Sequence, residues 1–319
     1  MIKVGIIGAE KIEAGELLRI LLHHPEVDIV SLYSPAFAGR RVASCHHGFL
    51  GEEIVNFTEK IDPSELDIIF IADDSPMAKS ILTHSEDFPK LRIVDMSESR
   101  FADWRAFGLE YGLSEINRKS LVRGARLALV PSAPAALTLL ALHPLALHLL
   151  LSSDVEISVA APQPVLKALD ADRSASEIAT MLSKVQTSFN GKVRVSFLPV
   201  NSGRSMRVRI LMRCPLSIAE VDKVFESVYD DHSFVFTSLS NVDRKEVEGT
   251  HKCMVTFSKP APDTLELESV GDAHLRGGAG DAVHVLNLFF ALDEKVGLHL
   301  KPSLFGAEDD GPQQVSWFA

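Results

Sequence analysis

The chain opens on a pattern that few folds can accommodate. Ile2, Val4, Ile6 and Ile7 form a short apolar run rich in β-branched residues, the mark of a strand buried on both faces. Gly5 and Gly8 follow at GxxG spacing, and Ile12, Leu17, Leu18, Ile20, Leu21 and Leu22 then recur at helical spacing up to Pro25. Strand, glycine turn and helix make the first βα unit of an open parallel sheet of the Rossmann type. In such a unit the helix N-terminus is a seat for an anion, classically the pyrophosphate of a dinucleotide.

The turn itself is poorly suited to that anion. Glycines in a phosphate turn let the backbone approach the phosphates and let helix and strand pack closely. Here Gly8 is followed by Ala9, Glu10, Lys11, Ile12, Glu13 and Ala14, so two carboxylates flank the seat. A carboxylate ~7 Å from a phosphate costs roughly 2 kcal/mol at an effective dielectric near 20, and Lys11 offsets part of it. The candidate dinucleotide contacts are therefore Gly5, Gly8, Glu10, Lys11 and Ile12. Ser34 and Arg40 join them from the end of the second strand, Val27 to Tyr33. That strand end carries no acid for a ribose 2′-hydroxyl, and Arg40 with Arg41 would favour the 2′-phosphorylated cofactor, NADP.

With 319 residues the chain is long enough for two domains. A net charge of −11 argues against nucleic acid and gives no reason to expect an anionic membrane surface. Cys45, Cys214 and Cys253 are too far apart to chelate together, and His46-His47 beside Cys45 lacks a second cluster, so no metal is expected. Three scattered cysteines suit a reducing, cytoplasmic setting. A first strand starting at residue 2 leaves no signal peptide to be expected. Leu127 to Leu151 runs 25 residues without Asp, Glu, Lys or Arg, but Pro131, Pro134 and Pro144 interrupt it. A buried strand and helix explain it better than a membrane span.

Further buried strands follow at Leu66 to Ala72, Leu91 to Met96 and Ala125 to Val130. The first runs into Asp73-Asp74, which places these acids beyond a strand C-terminus, where ligands bind in open parallel sheets. Asp73, Asp74, Glu10 and Glu13 would then share one acidic crevice, suited to a cation or amine, unless they face solvent. Beyond residue 150, runs of strands with a few helices predict an α+β layer covered on one face. Helices are expected near 174–189, 217–229 and 279–292, and strands near 193–198, 206–212, 251–257 and 264–270. The fold class is thus α/β: a doubly wound parallel sheet over 1–133, rejoined by 293–319, plus an α+β substrate or dimerisation domain over 134–292. Trp317-Phe318 in the acidic tail would dock by aromatics or fray.

Four stretches, GIIGA…GELLRILLHHPEV, IVDMS, YGLSEINR and AVHVLNLFFALDEKVGLHLKPSLF, together resemble the N-acetyl-gamma-glutamyl-phosphate reductase family of semialdehyde dehydrogenases. The resemblance touches both ends and the middle of the chain, and implies an NADPH-dependent acyl-phosphate reductase of arginine biosynthesis. In that family an Asn-Pro-Gly-Cys-aromatic motif supplies a thiolate that attacks the acyl phosphate, and hydride reduces the resulting thioester. A thiolate suits both steps because it is nucleophilic near neutral pH and can also leave.

The matching stretch here is Val130-Pro131-Ser132-Ala133-Pro134, with Ala133 at the nucleophile position. Ser132 carries a hydroxyl, but no base is visible near it in sequence. The family's acid/base histidine falls against Lys167 to Arg173, where Asp172 and Arg173 stand instead, and the Ser/Gly-rich substrate loop before it is missing. Near the last helix Gly277, Gly280 and Asn287 match, whereas Ala273 and Val285 replace expected asparagines. The family's His-Gly pair after the fourth strand is replaced by Asp73-Asp74. The resemblance further implies that the open face of the second sheet packs on another subunit. Three functions fit these residues: an inactive homologue acting as an interaction or regulatory subunit, alone as a homo-oligomer or with an active paralogue; an active NAD(P)-dependent relative with a different nucleophile or substrate; and a small-cation binder.

Overall fold

The computed structural model describes residues 1–151, 154–201, 203–238 and 242–302; the Trp317-Phe318 tail lies outside them. The chain runs β1 (Ile2–Ile7), α1 (Ile12–Leu21), β2 (Val27–Tyr33), β3 (Phe57–Thr58), β4 (Ile68–Ile71), α2 (Pro76–Thr83) and β5 (Arg92–Asp95). It continues with β6 (Glu110–Tyr111), α3 (Ser114–Val122), β7 (Leu127–Leu129) and α4 (Ala133–Leu147). Next come β8 (Val155–Ala161), α5 (Gln163–Ala168), α6 (Ala171–Val185), β9 (Val193–Pro199) and β10 (Ser205–Arg213). α7 (Ile218–Tyr229), β11 (Val235–Ser238), β12 (Cys253–Ala261), β13 (Thr264–Asp272) and α8 (Ala279–Phe289) complete it.

The first seven strands form one parallel sheet in the order β3-β2-β1-β4-β5-β7-β6. Its central strands are fully buried, as continuous apolar runs require when helices cover both faces. α1, α3 and α8 pack against one face with Val4, Ile6, Ile68 and Phe70. The second sheet is mixed, β11-β12-β13-β10-β8-β9, with α4, α6 and α7 on one face. Its other face carries cross-strand ion pairs, Arg207 to Glu268 at 2.8 Å and Arg209 to Glu266 at 2.5 Å. Both layers expected from the sequence are present. α8, expected to close the second domain, instead packs on α1, α3 and β5 of the first sheet.

The uncharged stretch resolves into β7 and α4, and no helix among the described residues is long and apolar enough to cross a membrane. Pro144 sits inside α4 and has no N–H for the carbonyl of Leu140, one turn earlier. The Tyr229 hydroxyl donates to that carbonyl at 2.6 Å, so the buried acceptor is satisfied from α7.

Candidate functional site

The glycine turn is built as the sequence predicts, and its first N–H groups already have a partner. Gly8 adopts φ +75°, and the N–H groups of Gly8 and Ala9 both donate to the Tyr33 carbonyl at 3.1 Å. A Cβ placed on Gly8 would lie 2.8 Å from Cβ and 2.9 Å from Cγ of Asp73, so the Asp73 side chain packs directly on the turn and brings a carboxylate to it. Asp73 Oδ1 accepts the Ser75 N–H at 3.1 Å, which fixes it at the start of α2. His46 closes the other side, its Nε2 2.9 Å from the Ala9 carbonyl. Lys11, the N-cap of α1, supplies no side-chain cap, and it lies 3.9 Å from Glu10. The residues present therefore fit a dinucleotide poorly.

The remaining dinucleotide candidates scatter. Gly5 lies inside β1, paired with Ser31 and Ile69 under Leu66, so it serves sheet packing rather than the turn. Ile12 is 65% exposed. Ser34 is buried with its hydroxyl unpartnered, and Arg40 stacks on Phe37 of its own loop, 5.7 Å from the ring centre. Of the four acids placed near one crevice by sequence, Asp73 accepts the Ser75 N–H at the start of α2, and Asp74 pairs with a buried arginine. Asp74 meets Arg100 at 3.1 Å, and Arg100 is buried against Asp95 at 2.7 Å. Burial raises Asp95, with Ser97 and Arg100 pulling against it.

At the nucleophile position the corresponding backbone is in place without the sulfur. β7 ends at Leu129, Ser132 is the N-cap of α4, and Ala133 starts the helix at 4% exposure. Ser132, however, does have a carboxylate beside it, contrary to the expectation from sequence. Its Oγ donates to Glu177 Oε2 at 2.8 Å and its N–H to Oε1 at 3.2 Å, while the Tyr111 hydroxyl donates to the same Oε1 at 2.8 Å. Burial pushes Glu177 up to about 7, with the Ser132 and Tyr111 hydrogen bonds opposing. Asp172 and Arg173 are exposed on the first turn of α6, one turn before Glu177. Glu177 was detectable in sequence only as a charge on the apolar stripe of Ser174, Ile178, Met181 and Leu182.

Other thiols do not substitute. Burial, then Glu10, raises Cys45, and burial pushes Cys253 up to about 12, so both stay protonated at neutral pH. Cys214 is buried.

Gly277, a cofactor-side candidate by resemblance, lies against Ser132 and Ala133. Its φ is +70°, and a Cβ there would overlap the Ala133 backbone. Its N–H donates to Asp281 Oδ2 at 2.6 Å. Gly277→Ala is therefore expected to cost about 3 kcal/mol or more, because backbone strain and a clash with unyielding main chain add. Urea unfolding measures it, and a loss under about 1 kcal/mol would contradict the packing described.

Beside this turn lies a buried polar cluster that the sequence did not reveal. Arg276, with no exposed surface, contacts Glu115 at 2.7 Å and Asp281 at 3.0 Å, and donates to the Phe234 carbonyl at 3.1 Å. Burial raises Glu115, but Arg276 and, less strongly, His284 outweigh it, leaving the carboxyl below its ordinary range. Asp281 goes the other way, to about 6, because burial outweighs Arg276 there. Four side chains of the YGLSEINR stretch tie neighbouring elements together. Tyr111 holds Glu177, Glu115 holds Arg276, Asn117 donates to the Tyr111 carbonyl at 2.9 Å, and Arg118 pairs with Glu294.

Residues 3–123 match the family described as semialdehyde dehydrogenase, NAD binding domain. The chain is 33% identical to the N-acetyl-gamma-glutamyl-phosphate reductase of Parabacteroides distasonis over 330 aligned residues, covering 96% of this chain and 100% of that one. The Bacteroides thetaiotaomicron protein of the same description is also 33% identical, with the same coverage. In structure it is similar to aspartate semialdehyde dehydrogenase II complexed with ASA from Vibrio cholerae, at TM-score 0.71 and 14% identity, covering 91% of this chain and 98% of the other. Aspartate semialdehyde dehydrogenase with NADP from Candida albicans matches at TM-score 0.64 and 12% identity, covering 93% and 99%.

Proposed function

The chain belongs to the N-acetyl-gamma-glutamyl-phosphate reductase family, and from that premise we propose that it has lost the family's thiol chemistry and acts as a non-catalytic interaction or regulatory subunit. The observation that carries this reading is Ala133 at the start of α4, with the Gly277 backbone against it and the neighbouring hydroxyl turned onto buried Glu177. A methyl group forms no thioester, and no histidine stands near Asp172 and Arg173 to move the proton. The Asp73 carboxylate packed on Gly8 supports weakened NADP binding in the same way, by bringing negative charge to the turn.

The purified chain is expected to give no NADP reduction above background with N-acetylglutamate semialdehyde and phosphate. Ala133→Cys is expected to stay equally silent, because a nucleophile without an acid/base partner and without a free approach cannot complete the cycle. Turnover by the unmodified chain would overturn the proposal.

A second reading rests on Glu177 beside Ser132, which would let a hydroxyl act in an NAD(P)-dependent relative with altered substrate. Serine and glutamate are 8% and 2% exposed, so a substrate would have to open the site first. Activity abolished by Ser132→Ala, with NADPH fluorescence responding to the protein, would favour it. For partners we propose self-association, or assembly with an active relative, through the ion-paired face of the second sheet. For the domain division we propose that the second unit ends before α8, since α8 packs on the first sheet. Three unpaired cysteines support a cytoplasmic setting.

A further inference from the structure

Glu115, His251 and His284 come from three separate parts of the chain: α3, the segment before β12, and α8. One donor atom from each lies within 4.8 Å of the other two. The two histidines are 1% exposed, and the Glu115 side chain 2%. We propose that these three side chains form a divalent-metal site of the zinc class, open on one side to the acidic cleft between α3 and α7. Two imidazoles and a carboxylate are a zinc-type ligand set, and three protein ligands leave one position free.

Orphaned atoms supply the second observation. Both ring nitrogens of His251 and Nδ1 of His284 are buried without a hydrogen-bond partner. Leaving such atoms unpaired in a folded interior is costly, and each needs an explanation. For His284 the arrangement is specific. Its Nε2 faces Glu294 Oε2 at 2.8 Å, which leaves Nδ1 as the ring's other donor atom. A metal on Nδ1 would have the carboxylate–histidine arrangement behind it that commonly supports a ligand. His251 has the beginnings of the same support, its Nε2 3.5 Å from Asp281. Phe234 walls both rings, at 4.7 and 5.2 Å between ring centres.

Charge and access agree. Glu115 and Asp281 set two carboxylates against one fully buried guanidinium, Arg276, so the group favours a further cation. Arg276 keeps Asp281 and the Phe234 carbonyl if Glu115 turns to the ion. The cleft, about 730 Å³, is lined by Glu115, Glu226, Asp230, Asp231 and Glu294 against Arg118 and Lys223, so it draws cations inward. Zinc bonds of about 2 Å would draw the donors to roughly 3.5 Å apart.

This site is independent of the non-catalytic reading, and its test uses the metal alone. The full-length protein, stripped with chelator and dialysed, is titrated with Co²⁺ and followed by visible ligand-field absorption, then displaced with Zn²⁺. One equivalent is expected, with bands of a low-coordinate cobalt. His251→Gln and His284→Gln should each weaken binding by more than about a hundredfold, since losing even an outer partner costs 10- to 100-fold. Glu294→Gln, which leaves the buried donors in place, should weaken it about tenfold. Cys45→Ser combined with His47→Asn should change nothing. No binding at about 100 μM Co²⁺, well above ordinary site affinities, would overturn the proposal. So would binding unaltered in the histidine and Glu294 variants, or binding lost with Cys45 and His47.

Discussion

Arg276→Met is expected to destabilise the protein by about 3–5 kcal/mol. The side chain is fully buried, and its guanidinium is the partner of Glu115 and Asp281. Methionine fills part of the volume but leaves both carboxylates in a low-dielectric interior, and the Phe234 carbonyl loses its donor. Breaking one side of a buried ion group costs more than the group itself contributes, because the orphaned charges stay desolvated. The triple variant Arg276→Met, Glu115→Gln, Asp281→Asn should therefore recover much of the loss. Urea unfolding of all three proteins measures this. A single variant within about 1 kcal/mol of the parent would refute the account.

The second large effect is a pH dependence carried by Glu177. Its folded-state value is raised from 4.5 to about 7. The folded protein therefore holds a proton between those values that the unfolded chain releases. Protons bound in excess by the folded state mean stability that is complete below about 4.5 and lost as pH rises towards about 7. The full span is roughly 3 kcal/mol. Glu177→Gln removes this component. The amide oxygen can keep the Ser132 N–H and Tyr111 hydroxyl, and the amide N–H₂ can donate to Ser132 Oγ once that hydroxyl rotates. The stability difference between variant and parent should thus grow in favour of the variant from pH 5 to pH 8. A difference flat across that range would exclude the buried-proton explanation.

Much of the frame was legible because its causes are local. Ile2 to Ile7 and Leu66 to Ala72 announce central strands by composition alone, and Leu127 to Leu151 could be divided by its prolines into β7 and α4. What escaped depends on partners distant in sequence. Glu177 reaches Ser132 across 45 residues, and nothing around residue 132 foretells it. The partners of the acids near the first turn escaped for the same reason. Asp74 looked free because Arg100 follows 26 residues later, and Asp73 because its place over Gly8 depends on how β4 meets β1. β11 pairs in parallel with β12 over only four positions, too short a stretch for periodicity to register.

The apolar interior of the first sheet does not stop where the second begins. Ile7, Ile69, Ile71 and Ile93 on one side and Val208, Ile210, Val255 and Leu267 on the other belong to one continuous hydrophobic cluster, with α4 running through it. Two-lobed proteins that breathe about a hinge do so across interfaces that part cheaply and wet readily. Here, opening the lobes would strip a buried helix of its neighbours along one side. Separating the two sheets would therefore carry the cost of wetting that shared interior, which a cleft lined by polar side chains would not.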